Sequence, residues 1–249
     1  MTGSLFILTA NQESWSYYSV TAIFYVIIAF ALFYFITKLK PARRILRRSE
    51  RDPALSFISE KITGFLLFGL VPFLLCVITP GLNSSKNILT PGKSEHYWYI
   101  LLILFIIITF LTFNGSKRKT IQERSPRIRI KNWTIKYCII ATSGWIIYIL
   151  GYEFLFRGIL WLVCYRAFGL WVALVINIVL YVAVHLDQGL AMSLGAVPFG
   201  ILLCLLTFLT GSFLFAFLIH GWLAISTEIF SVYNNPDLSF SFRKQSKNR

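Results

Sequence analysis

Charge is what this 249-residue sequence has little of. Asp, Glu, Lys and Arg make up 14% of it, against about 25% in an ordinary soluble domain. That scarcity, beside a hydrophobic share of 57%, excludes a soluble globular domain. A disordered chain is excluded too, since it would be charge-rich and poor in aromatics, whereas Phe, Trp and Tyr reach 17% here. The 4 Cys stand singly in apolar runs with no metal-like spacing, so no disulfide scaffold is encoded. Closely paired histidines are lacking, as are internal repeats and low-complexity stretches. What remains is an all-α, polytopic transmembrane helix bundle. Its length suits seven spans, with eight as the alternative, at about 20 residues each.

Acidic residues number only 10 against 24 Lys+Arg, a formal net charge of +14. The excess comes in blocks beside apolar runs. Tyr18 to Thr37 is the first run, followed by Lys38, Lys40, Arg43, Arg44, Arg47, Arg48 and Arg51. Ile62 to Thr79 is the second, and Tyr97 to Phe113 the third. Lys117, Arg118, Lys119, Arg124, Arg127, Arg129 and Lys131 come next. From Trp133 to Phe230 the chain is almost unbroken apolar sequence, closed by Arg243, Lys244, Lys247 and Arg249. Basic clusters beside spans mark cytoplasmic loops. The two long clusters and the tail are therefore expected inside, and Pro80 to His96, with only Lys86 and Lys93, outside. The lipid bilayer, not nucleic acid, is the expected partner.

No Lys or Arg precedes Lys38, so the first run lacks the basic start of a signal peptide. The N-terminus is expected outside. With the tail inside the span count is odd, which favours seven. Trp133 to Tyr165 is then one long, bent helix; a break near Gly144 or Gly151 would make eight spans. The chain divides into three regions: residues 1–132 with the first helices and basic loops, 133–232 as a helical core of catalytic type, and 233–249 as a basic tail. Trp15, Tyr17, Trp98 and Trp133, near run ends, fit an interfacial aromatic belt. Cys76, Cys138, Cys164 and Cys204 read as small buried apolar residues.

An ionisable side chain at mid-membrane costs about 2.5–3.5 kcal/mol on insertion scales, so each such residue is a functional candidate. Glu153 and Arg157 are four residues apart, on one helix face. His185 ends the run from Leu170, with Tyr181 and Asn177 on preceding turns. His220 lies mid-run between Gly211 and Phe230. Glu153 and Arg157 can also be a structural pair that makes insertion tolerable, and a lone His a helix–helix hydrogen-bond partner. Together, a carboxylate, a guanidinium and two imidazoles on three helices are expected to converge inside the bundle, where such groups activate water and hold an oxyanion. Glu228 and Asp187, nearer helix ends, are expected in solvent, and Arg166 and Lys136 to snorkel.

The sequence Glu153-Phe154-Leu155-Phe156-Arg157-Gly158, then Tyr181 to His185, then Val197-Pro198-Phe199-Gly200 leading to Thr210-Gly211-Ser212 and His220 resembles the CAAX protease and bacteriocin-processing family of intramembrane endopeptidases. That family includes the type II prenyl-protein endopeptidases. The resemblance covers about Gly151 to Ala224. It implies an integral membrane endopeptidase, in a bacterial cell membrane, acting on a peptide or lipidated protein. It implies that His185 activates water together with the motif's carboxylate, that His220 holds the oxyanion and that Arg157 organises the site. Tyr152, Tyr181 and Asn177 are assigned to substrate binding. No cofactor is expected; zinc held by Glu153, His185 and His220 stays open as a variant. Two positions depart from the family. Tyr152 stands where the first of two Glu belongs, and Ala224 where an Asn belongs. Neighbouring helix residues point about 100° apart, so Glu153 replaces the missing Glu only if the helix is rotated or distorted. Two alternatives remain: a catalytically silent relative acting by binding, as in self-immunity to a peptide toxin, and a transporter or proton relay.

Overall fold

The computed structural model describes residues 2–38, 52–79, 82 and 97–241, with side chains from residue 14 onward. The cluster Lys40 to Arg51, the loop turns Pro80, Gly81, Pro91 and Gly92, the residues Lys86, Lys93 and His96, and the basic tail from Arg243 lie outside the described residues.

Six helices among the described residues are long and apolar enough to cross a membrane. The chain runs through α1 (Thr2–Lys38), α2 (Pro53–Ile78), α3 (Trp98–Gly115) and the single turn α4 (Lys119–Gln122). The next helical stretch, Ile135–Ala183, is 49 residues long, more than one bilayer needs. It folds back on itself. At Gly169 the backbone takes φ 77° and ψ −177°, a conformation that glycine adopts without a Cβ penalty. Asn177 Nδ2 donates to the Phe156 carbonyl at 2.9 Å, whereas 21 residues of straight helix would hold them about 31 Å apart. The stretch is therefore two antiparallel helices, α5 (residues 135–168) and α6 (residues 170–183). α7 (Leu190–Thr210) and α8 (Phe213–Asn234) complete seven apolar segments. The turn falls at Gly169, and neither Gly144 nor Gly151 breaks α5.

α2 begins nine residues before its apolar run. Asp52 caps it, accepting from the Ala54 and Leu55 amides at 2.9 and 3.4 Å, and Pro53 occupies the first turn, where its missing N–H is harmless. Glu60 and Lys61 are thereby drawn into the helix. Two π-helical stretches interrupt the spans, Leu66–Leu70 in α2 and Phe154–Leu160 in α5. They pack together because glycines face each other there. A Cβ on Gly151 would sit 3.0 Å from the Gly69 amide nitrogen. The core lies between α1, α2, α5 and α6, where Phe30 stacks on Phe68 at 4.2 Å and Tyr152 on Phe156 at 4.8 Å.

At one end, β1 (Asn132–Trp133) pairs in parallel with β2 (Ser239–Phe240). The loop before α5 and the segment after α8 thus share one face of the bundle. Trp133 is fully buried in this contact and is no part of an interfacial belt; Trp15, Tyr17 and Trp98 keep exposed or half-exposed positions. Glu228 is also buried, against the expectation of a solvated helix end. Its Oε1 accepts the Arg127 amide at 2.6 Å. Asp187, Lys136 and Arg166 are exposed, and Arg166 lies 5.7 Å from the Trp15 ring.

Candidate active site

The π-helical stretch of α5 starts immediately after Glu153. A π-turn adds a residue to one helical turn, shifts the faces of the residues beyond it and recurs at functional sites. Glu153 immediately precedes it, Arg157 lies within it, and both side chains point into the protein interior. Arg157 Nη1 donates to Glu153 Oε1 at 3.2 Å and lies 3.1 Å from Oε2. Both side chains are fully buried. The guanidinium also covers the face of Tyr181, 4.3 Å from the ring centroid, a cation–π contact that offsets part of its desolvation.

His220 comes from α8. Ser212 caps that helix by accepting the Leu214 amide at 3.3 Å. Two turns on, His220 Nδ1 donates to Glu153 Oε1 in a short contact. The sequence placed Glu153 with His185; the structure pairs it with His220. The reason is helical geometry. Tyr152 occupies the helix face turned to the cavity, and Glu153, one residue on, faces away from it toward α8.

His185 lies just beyond α6. Its Nδ1 sits 2.7 Å from the Tyr181 carbonyl. A carbonyl only accepts, so Nδ1 carries the proton and Nε2 keeps a free lone pair. Burial lowers the affinity of this ring for a second proton, so its pKa falls below the ordinary histidine value. The Tyr181 and His185 rings are 4.6 Å apart.

One cavity of about 740 Å³ reaches both imidazoles. His185, His220, Tyr152, Tyr181 and Ala224 line it; Glu153 and Arg157 stand behind that lining. Tyr152 sits between the histidines, 6.5 Å from the His185 ring and 5.5 Å from the His220 ring. Its hydroxyl is buried and has no hydrogen-bond partner among the described residues. Asn177 does not line the cavity. Its amide nitrogen supports the Phe156 carbonyl of the π-turn, and its oxygen accepts from Cys204 Sγ at 3.4 Å. It braces α6 and α7 against the distorted stretch of α5. The N-terminal helices contribute as well: Val26, Phe30 and Phe33 of α1 and Lys61 of α2 form part of the same wall.

The three-ligand zinc set does not assemble. Among the described residues no three His, Cys, Asp or Glu side chains are grouped for a metal ion, and Glu153 is engaged by Arg157 and His220.

Sequence comparison bears on this same core. Residues 134–225 match the family model described as type II CAAX prenyl endopeptidase Rce1-like. Over that segment the chain is similar to an intramembrane CAAX-type protease family. The matched segment carries Glu153, Arg157, His185 and His220. No curated protein matches the chain. No solved structure matches it either.

Sequence reading missed Lys61. The second apolar run begins at Ile62, one residue after it. The signal was present in Asp52-Pro53, a cap followed by a favoured first helical residue, which starts the helix early enough to bury it.

Proposed function

We propose that this protein is an intramembrane endopeptidase that hydrolyses a peptide bond near the end of a lipidated protein. The observation that carries the proposal is the pair of imidazoles facing one cavity, each fixed through Nδ1 and each with Nε2 left for substrate. His185, neutral and with an open lone pair, takes a proton from water as the hydroxide attacks the scissile carbonyl carbon. His220 acts in its doubly protonated form: Nδ1–H stays on the Glu153 carboxylate, and Nε2–H is donated to the developing oxyanion. His185 then returns its proton to the leaving amine as the C–N bond breaks. Glu153 and Arg157 act as positioning residues that fix the His220 ring. Tyr152 and Tyr181 bound the substrate space, and the α1 wall offers apolar surface to a lipid chain. We place the basic loops on the cytoplasmic side.

The alternative is a relative that binds without cleaving. It draws support from Tyr152, which stands between the imidazoles where the family has a carboxylate. Purified protein in liposomes, supplied with a farnesylated peptide, separates the two. Cleavage by wild type and none by His185→Ala is the expected result. Equal cleavage by wild type and His185→Ala would overturn the proposed base. Binding without cleavage by wild type would favour the silent relative.

A further inference from the structure

We infer that a second cavity, where the ends of α1 and α2 meet the loop after α4, binds the phosphodiester headgroup of an anionic phospholipid. This inference stands apart from the endopeptidase function and needs no cleavage. The cavity has a volume of about 670 Å³ and lies between the last turn of α1, the first three turns of α2 and the loop that follows α4. Lys38, Arg124, Arg127 and Arg129 line it, against Glu60 and Glu123. Four cations and two carboxylates leave two positive charges in excess. His185, His220 and Lys61 are not in its wall.

These cations keep donors for a ligand. Lys38 has no hydrogen-bond acceptor among the described residues. Arg127 reaches Glu60 Oε1 through Nη2 at 3.4 Å, which leaves Nε and Nη1. Glu60 also accepts from Lys61 Nζ at 3.2 Å, so its charge is already shared between two cations. Arg124 donates to the Gln188 carbonyl, and Arg129 to those of Gln122 and Glu123. Carbonyls hold a guanidinium in place without cancelling its charge. A phosphodiester supplies both the missing negative charge and the acceptor oxygens, and its bonds to Arg and Lys are charge-assisted.

Position in the membrane selects a lipid over a dissolved anion. Thr37 and Lys38 end the first apolar run, and Pro53 to Thr63 lead into the second, so the cavity sits at the depth of the lipid headgroups. Further along the spans, α1 exposes Leu32 and Phe35, and α2 exposes Ile62 and Leu66, apolar surface against which acyl chains pack. On the opposite rim Glu123, Arg124, Arg127 and Arg129 are exposed. An anionic head with apolar tails matches both rims, whereas a zwitterionic head adds an ammonium to a site already rich in cations. The bound head would tie the loop to α1 and α2. That loop in turn holds α8, through the Arg127 amide on Glu228 at 2.6 Å, and the turn after His185, through Arg124 on Gln188.

The test offers the full chain, purified in a neutral detergent, equal amounts of phosphatidylglycerol and phosphatidylcholine with the same acyl chains. Native mass spectrometry counts the lipids retained. Wild type is expected to keep one phosphatidylglycerol in preference, by about threefold or more, as befits charge-assisted contacts in a half-exposed site. Lys38→Gln is expected to bring the ratio of the two lipids toward one. Lys136→Gln removes the same charge from an exposed position outside the cavity and is expected to leave the ratio unchanged. Glu123→Gln removes an opposing carboxylate and is expected to raise it; because Glu123 is exposed, this variant still decides the matter if Lys38→Gln fails to fold. No preference in wild type overturns the inference. Equal losses in Lys38→Gln and Lys136→Gln overturn it too, since they would mark diffuse surface charge, as does a ratio that does not rise in Glu123→Gln. Inorganic phosphate at millimolar concentration is expected to leave the retained lipid in place, and its displacement would make this a site for the dissolved anion, against the inference.

Discussion

Glu153 and Arg157 were legible as a pair because their spacing alone puts them on one helix face. The partner of Glu153 was not, because His220 is 67 residues away and no periodicity links α5 to α8. The pairing alters what a substitution should do. With Glu153 facing away from the cavity, Glu153→Gln should slow cleavage by about 10²–10³, the usual loss for weakening an oxyanion contact, instead of abolishing it. The same variant leaves Arg157 buried without its anion, which costs about 3–5 kcal/mol, so a lowered Tm is expected alongside. Complete loss of cleavage with an unchanged Tm would instead make Glu153 the base. His185 carries its own signature. It works as a base only when neutral, and burial depresses its pKa. Activity should therefore persist as pH falls through about 6.5, the ordinary histidine value, and fail only below it. A pH–rate profile whose acid limb lies at or above neutrality would exclude His185 as the group titrating.

At the level of elements, apolar runs located the spans to within a few residues at most ends, because bilayer thickness sets a coarse ruler. The π-turns were not legible. They arise from contact between α2 and α5, two segments far apart in sequence, and glycine alone does not announce such a contact. Gly151 shows the dependence most directly. A Cβ there would meet the Gly69 N and Cα at 3.0 and 3.1 Å and the Phe65 Cα at 3.3 Å, all backbone atoms that no rotamer change can move. Gly151→Leu should push α2 and α5 apart and destabilise the protein by the ~1–3 kcal/mol typical of overpacking. Thermal unfolding in detergent reads the cost. Loss of activity larger than that of a surface control would show that the π-turn at Phe154 depends on this contact. An unchanged Tm would mean that the helices do not approach so closely.

For the whole molecule, the charge blocks led to an expectation of seven spans, while six helices among the described residues are long and apolar enough to cross a membrane; the difference is the fold-back at Gly169, which rests on one positive φ that a run of apolar residues hides. The pairing of β1 with β2 was also hidden, since two-residue strands leave no period to detect. It requires the 117–131 loop and the chain after α8 to lie on one side of the membrane. In a background without the native cysteines, single cysteines at the exposed positions Lys119 and Asp237 should react together with an impermeant reagent, in vesicles of one orientation and not the other. Opposite sidedness would break the pairing. The same pairing also has a consequence for biogenesis. Ser239 N donates to the Lys131 carbonyl at 2.9 Å and Ser241 N to that of Trp133 at 2.7 Å, tying off a ring of about a hundred residues whose closure carries an entropic cost. That clasp cannot form until α8 has been synthesised and inserted, so every helix from α5 to α8 waits on residues translated after it. Truncation after Asn235 should leave all spans inserted but the ring open. Glycosylation-site mapping would then report normal topology while limited proteolysis cuts between Lys131 and Thr134, and resistance at that bond would show that the ring closes without its clasp.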